Sequence, residues 1–168
     1  MIDGSDLKGE RHMKLCVFSD SHGASEAMLR VLAKEKPALC FFLGDGAQDL
    51  PKVQKGYPEL VIYAVRGNCD VFCRLPRELS CAVGGTRILA LHGHRHEVKE
   101  DPSLSALLDA GRRSAADIIL FGHTHTPLLE QRDGIWLMNP GSIGSAPEAS
   151  YGVIHLENGA SRLFLKAL

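Results

Sequence analysis

Five short apolar runs each end in residues able to bind a hard or borderline metal ion, and this repetition constrains the fold. Leu15-Cys16-Val17-Phe18 leads into Ser19-Asp20-Ser21-His22, and Leu39-Cys40-Phe41-Phe42-Leu43 leads into Gly44-Asp45. Leu60-Val61-Ile62-Tyr63-Ala64-Val65 leads into Arg66-Gly67-Asn68. Ile88-Leu89-Ala90-Leu91 leads into His92-Gly93-His94, and Ile118-Ile119-Leu120-Phe121 into Gly122-His123-Thr124-His125. Apolar runs of this length bounded by glycine read as buried strands. If neighbouring strands run parallel, their carboxyl ends share one sheet edge, where open α/β sheets bind ligands. Two Asp, one Asn and several His then converge on one place.

The rest of the chain is consistent with one α/β domain. In the first half, Ala27, Met28, Val31 and Leu32 recur at helical spacing and Pro37 ends that helix. Strands are expected at 14–18, 38–43 and 60–65, joined in parallel by helical segments. The second half changes character: Gly84-Gly85, Asp133-Gly134 and Asn158-Gly159 sit between strand-like runs and supply the positive φ of tight hairpins. One helix interrupts the hairpins, with Asp101 as cap, Pro102 at its first position, and Leu104, Leu107 and Leu108 on one face. Parallel and hairpin halves together predict two packed mixed β-sheets flanked by helices, an α/β (mixed α+β) sandwich. Residues 1–12 are polar and aperiodic, so a tag or disordered arm is expected there, before a single domain over 13–168 whose natural start is Met13.

Composition removes several functional classes. The 168 residues carry a formal net charge of −1, against a broad nucleic-acid-binding face. No apolar run approaches the ~20 residues of a membrane span. Five cysteines, an odd count with no secretory signal, suggest free thiols and a cytoplasmic location. Cys16 and Cys40 lie inside apolar runs and read as small core residues. Cys69 and Cys73 have no second pair to complete a zinc cage. Trp136 and the phenylalanines show no stacking pattern for nucleic acid, so core packing is expected of them.

Taken singly, each polar block has an ordinary reading as a cap, turn or loop residue. Taken together, Asp20, His22, Asp45, Asn68, His92, His123 and His125 are a mixed nitrogen and oxygen donor set without thiolate. Such a set suits Mn, Fe, Co, Ni or Zn rather than Ca. It is too large for one ion and fits two ions about 3.5–4 Å apart, with Asp45 able to lie between them. Two such ions acidify a bridging water and neutralise phosphate oxygens, and in-line attack of the resulting hydroxide at phosphorus follows.

These blocks, in this order and spacing, resemble the calcineurin-like metallophosphoesterases. Asn139-Pro140-Gly141-Ser142 resembles a further turn of the small prokaryotic phosphodiesterase subfamily. The resemblance implies a sandwich of two mixed sheets and a ligand assignment. Asp20, His22 and His125 would hold one ion, Asn68, His92 and His123 the other, and Asp45 would bridge. His94 is the rival to His92; the resemblance favours His92 as ligand. The implied cofactors are two divalent transition-metal ions, Mn being the first choice.

One departure concerns proton transfer. Many members of the wider family have His directly after the block Asn, where it protonates the leaving group; here that residue is Cys69. A thiol replaces imidazole poorly near pH 7, and loss of a positioned donor forfeits about 10²–10⁴-fold. The subfamily also resembles this Gly-Asn-Cys-Asp form. His94 and Asp70 are the candidate substitutes, and Arg95 is the first candidate for gripping phosphate among Arg66, Arg74, Arg77 and Arg95. The expected activity is phosphodiester hydrolysis on a small phosphate ester. The alternatives are a phosphomonoesterase, or a non-catalytic scaffold like the phosphoesterase-like subunit of the retromer coat. Oligomeric state is open.

Overall fold

Strand β1 (His12–Phe18) is followed by helix α1 (Ser25–Glu35), β2 (Leu39–Phe42), a single 3-10 turn at Ala47–Asp49, α2 (Leu50–Gly56) and β3 (Val61–Ala64). The second half runs β4 (Glu78–Val83), β5 (Thr86–Leu91), α3 (Ser105–Arg113), β6 (Ile118–Leu120), β7 (Leu128–Arg132), β8 (Ile135–Asn139), β9 (Ser150–Glu157) and β10 (Ala160–Ala167). The structure, a computed structural model, describes residues 12–145 and 147–168. Apart from His12, the expected N-terminal tag or arm lies outside the described residues. His12 itself opens β1 and pairs with Glu157, so the strand begins ahead of the expected domain start.

The strands form two five-stranded mixed sheets, in the orders β10-β9-β1-β2-β3 and β4-β5-β6-β8-β7. Strands β1, β2 and β3 are parallel, as are β5, β6 and β8; β9, β4 and β7 pair antiparallel. The period-2 geometry of a strand sorts its side chains. Leu15, Val17, Leu39 and Phe41 point into the inter-sheet core with Ile88, Ala90, Ile118, Leu120 and Met138. Their neighbours Cys16, Phe18, Cys40 and Phe42 point outward, beneath Ala27, Met28, Val31 and Leu32 of α1. Leu89, Leu91, Ile119 and Leu137 lie on the outer face of the second sheet, under Leu107 and Leu108 of α3. Continuous apolar runs thus follow from burial on both faces. Each fully buried Leu or Phe contributes roughly 1.5–3 kcal/mol. Trp136 packs partly buried against the inter-sheet core, as expected.

All three Gly-containing dipeptides form two-residue hairpin loops with positive φ at both positions: Gly84-Gly85 at 55° and 85°, Asp133-Gly134 and Asn158-Gly159 at 50° and 80°. They join Val83 to Thr86, Arg132 to Ile135 and Glu157 to Ala160 in register. The third helix departs from expectation. It starts at Ser105, preceded by Leu104 in the left-handed conformation, and Pro102 lies in the turn before it. The Asp101 carboxylate accepts from the N–H groups of Ser103 and Ser105 (2.9 and 3.0 Å) and from both their hydroxyls. These local side-chain bonds favour a turn where a helix start was expected.

Candidate metal centre

The parallel strands β1, β2, β3, β5 and β6 deliver their following loops to one end of the sandwich. Hydrogen bonds between these loops then set the side chains. Asp20 N–H donates to Gly44 carbonyl (2.9 Å), and His22 N–H to Asp45 carbonyl (3.2 Å). Gly122 N–H donates to His92 carbonyl (3.0 Å), coupling the ends of β5 and β6. Asp20, His22, Asp45, His123 and His125 all have φ between 43° and 70°. Asp and His tolerate this region better than bulkier residues, yet five in one place require support from the surroundings. The chain therefore does not continue β1 as an extended run but turns back at both Asp20 and His22.

Two groups of three potential ligands result, each with donor atoms within 4.8 Å of one another: Asp20, His22 and His125, and Asp45, His92 and His123. Asp20 is fully buried, and its Oδ2 accepts from Ser19 Oγ (2.5 Å) and from His123 N–H (3.1 Å). Its Oδ1 has no hydrogen-bond partner among the described residues; it stands 3.1 Å from His125 Nε2 and 4.0 Å from His92 Nε2. His92 Nδ1 lies 2.7 Å from the Leu43 carbonyl. A carbonyl only accepts, so Nδ1 carries the proton and Nε2 offers a lone pair. That Nε2 is also buried without a hydrogen-bond partner, 3.4 Å from Asp45 Oδ2. Buried polar groups are normally satisfied. A carboxylate oxygen and an imidazole nitrogen left bare and facing one another fit a cation between them.

Electrostatics agree with a site built around negative charge. Burial alone would raise the Asp45 carboxyl, but the neighbouring His92 imidazole and the Cys69 N–H (2.8 Å to Oδ1) hold it well below the usual range. Burial would lower His92, but Asp45 and Asp20 outweigh it and raise it. Around His94, burial and the neighbouring His92 lower the imidazole. A hydrogen bond to Asp45, burial, and the charges of Asp45, Asp70 and Asp20 push the Cys69 thiol up, so it is a still weaker proton donor.

The remaining expected residues are distributed around this centre. Asn68 is exposed early in the loop after β3, with Nδ2 3.4 Å from Cys69 Sγ. The His94 ring is half-buried, 5.4 Å from the His92 ring and 6.1 Å from that of His123, while Arg95 is exposed in the following turn. Past Gly93, whose φ is 107°, the chain is not extended, so His92 and His94 are not side by side on a strand. Asp70 is buried, and its carboxylate accepts from the N–H groups of Asp45 (2.8 Å), Gly46 (3.0 Å), Ala47 (2.8 Å) and Gly67 (2.8 Å). With its oxygens so engaged, it fixes the loops after β2 and β3 and has no hydrogen bond to spare for proton transfer.

Sequence reasoning missed several supporting contacts. Ser142 Oγ donates to the Asp20 carbonyl (2.8 Å), and Asp49 accepts from Ser21 Oγ and Gly23 N–H. Asn139 Nδ2 donates to the Gly122 carbonyl (3.0 Å) and Thr124 Oγ1 (2.9 Å). The Asn139-Pro140-Gly141-Ser142 turn was the one available signal, and it identified a turn without its contacts.

The sequence matches the calcineurin-like phosphoesterase superfamily domain over residues 13–159. It is 32% identical over 154 residues to the probable metallophosphoesterase YsnB of Bacillus subtilis (strain 168), covering 89% of this chain and 88% of that one. It is 31% identical over 170 aligned positions to phosphodiesterase YfcE of Escherichia coli (strain K12), covering 84% and 87% respectively. The fold also superposes on Vacuolar Protein Sorting 29 of Cryptosporidium parvum with a TM-score of 0.75 at 18% identity, covering 95% of this chain and 99% of that chain. With two five-stranded sheets of this topology and a match reaching from β1 to the last hairpin, the chain belongs to the calcineurin-like phosphoesterase superfamily.

Proposed function

We propose that the protein is a dinuclear, metal-dependent phosphodiesterase acting on a small phosphate ester. The observation that carries this reading is the pair of bare, buried donor atoms, Asp20 Oδ1 and His92 Nε2, 4.0 Å apart between the two groups of ligands. Asp20, His22 and His125 would hold one divalent ion, His92, His123 and Asn68 would hold the second, and Asp45 would serve both. Mn is the first choice of metal, with Fe, Ni, Co and Zn compatible with the same donors. When bound, two such ions supply charge neutralisation at the phosphoryl oxygens and a water acidic enough to attack phosphorus. His94, beside the centre, is the first candidate to handle the departing proton, and Arg95 to grip the phosphate. Asp70 acts through Asp45 and Gly67 as a positioning residue. Five free thiols suit the reducing cytoplasm.

The competing reading is a scaffold working through protein contacts. The likeness to Vacuolar Protein Sorting 29 raises it, though at 18% identity that likeness carries the fold alone. The complete ligand set favours the enzyme. The test pairs metal content with hydrolysis of bis-p-nitrophenyl phosphate in the presence of Mn, Ni, Co, Zn or Mg. Turnover should require metal and fall about 10²-fold or more in Asp45→Asn and His123→Ala. Two bound metals with no turnover on any ester would favour the scaffold.

A further inference from the structure

Ser19 is fully buried directly after β1, and among the described residues its hydroxyl has one hydrogen-bond partner, the neighbouring Asp20 carboxylate. Oγ lies 2.5 Å from Oδ2, the short range of a hydroxyl donating to a charged oxygen. Most side-chain hydrogen bonds go to backbone or water; this one goes to a candidate metal ligand. Gly122 makes room for the hydroxyl: a Cβ there would stand 1.9 Å from Ser19 Oγ and 2.9 Å from Asp20 Oδ2. The next residue, His123, gives its N–H to the same Oδ2 (3.1 Å). Two donors, one following β1 of the first sheet and one following β6 of the second, thus hold one carboxylate oxygen. The backbone beneath that carboxylate is fixed independently. Ile143 N–H donates to the Ser19 carbonyl (3.1 Å), Ser142 Oγ to the Asp20 carbonyl (2.8 Å), and Asp20 N–H to the Gly44 carbonyl (2.9 Å). These bonds leave free the rotation of the carboxylate itself, a broad and roughly two-fold torsion. Ser19 Oγ and His123 N–H remove that freedom. Both bind Oδ2, so Oδ1 is the oxygen left bare, 3.1 Å from His125 Nε2.

We propose that Ser19 is a positioning residue that acts through Asp20: its hydroxyl locks the carboxylate so that Oδ1 alone meets the ion held with His22 and His125. The inference rests on the dinuclear reading for the ions and adds the residue that sets how one of them is gripped. Without the hydroxyl, Oδ2 keeps only the His123 N–H, and the carboxylate regains its rotation. Partners that orient a metal ligand in this way typically contribute about 10- to 100-fold in metal affinity. Asp20 belongs to one ligand group and not to the other, so the effect falls on one ion.

The experiment is titration of the chelator-treated, full-length protein with Mn, followed by calorimetry and by the electron paramagnetic resonance spectrum of the metal. Both read binding without turnover. The wild type should take up two ions and end in the multiline spectrum of an exchange-coupled pair. Ser19→Ala should bind one ion within about 3-fold of the wild-type affinity and the other about 10- to 100-fold more weakly. At Mn concentrations between those two affinities, the variant should show the simple hyperfine pattern of an isolated Mn where the wild type already shows the coupled pair. Two ions bound to Ser19→Ala at wild-type affinity would overturn the assignment. So would equal weakening of both ions, which would mark a general loosening of the fold. A wild type that takes up no second ion would overturn the dinuclear reading itself, and this inference with it.

Discussion

At the scale of single residues, the centre is governed by close approach. Gly67 lies so near Asp45 that a Cβ there would stand 2.0 Å from Asp45 Oδ1 and 2.6 Å from Asp45 N. Neither atom can yield, because Oδ1 is fixed by Cys69 N–H and the amide by Asp70. Gly67→Ala should therefore displace Asp45 and Asn68 together, costing about 1–3 kcal/mol of stability and lowering metal occupancy. Thermal denaturation with metal analysis of the purified variant checks both effects, and wild-type occupancy would show that the loop relaxes freely. The left-handed candidate ligands belong to the same picture. Their conformations are held by hydrogen bonds from Ser142 and between loops, so the centre is arranged before any ion arrives.

At the scale of elements, the end of the molecule away from the metal centre is fastened by one acid. Glu35, in the last turn of α1, is 5% exposed and accepts from Tyr151 OH of β9 (2.9 Å), Lys166 Nζ of β10 (2.9 Å) and Lys14 Nζ of β1 (3.4 Å). Burial raises its carboxyl, but Lys166, Tyr151 and Lys14 together hold it below the usual glutamate value. A carboxyl whose folded-state pKa is depressed stabilises the fold above its unfolded pKa and loses that contribution as pH falls through the folded value. Glu35 should thus add about 2 kcal/mol at neutral pH, declining below roughly pH 4.3, the usual glutamate value. Chemical denaturation between pH 7 and pH 3 should show Glu35→Gln less stable than wild type at neutrality, with the two curves converging in acid. Parallel curves would assign the stabilisation to packing.

For the whole molecule, the two ligand groups draw on both sheets. Asp20, His22 and Asp45 follow strands of the first sheet, whereas His92, His123 and His125 follow strands of the second. Bound ions would therefore clamp the open end of the sandwich. Each ion present at 100 times its dissociation constant adds about 2.7 kcal/mol. In a domain of this size that corresponds to roughly 5–10 °C in melting temperature. Stripping metal with a chelator should lower the melting temperature by at least that amount and leave far-ultraviolet circular dichroism unchanged, since the inter-sheet core and the two helix-covered outer clusters contain none of the candidate ligands. Loss of secondary structure on chelation would show that the apo fold depends on the ions.

Strand identity, hairpin position and the candidate ligands were legible in the sequence because each depends on local signals: apolar runs, Gly-containing turn pairs, and donor types at strand ends. The start of α3 was misplaced because the Ser103 and Ser105 bonds to Asp101 compete with a helix start at Pro102, and pattern alone does not rank them. The backbone shape of the ligand loops was equally out of reach. Asp20 and His22 directly follow an apolar strand run, yet contacts with Gly44 and Asp45, more than 20 positions away, accompany a left-handed backbone at both. Asp70 makes the same point: in sequence it is one acid beside Asn68, and in the folded chain it binds four amides from two loops. Residue type and spacing thus determined which groups could meet, because strands alternate and terminate by local rules. Which atoms remained bare at Asp20 and His92, and which were consumed by hydrogen bonds, was decided only by tertiary structure, because satisfaction of a buried polar group depends on partners far away along the chain.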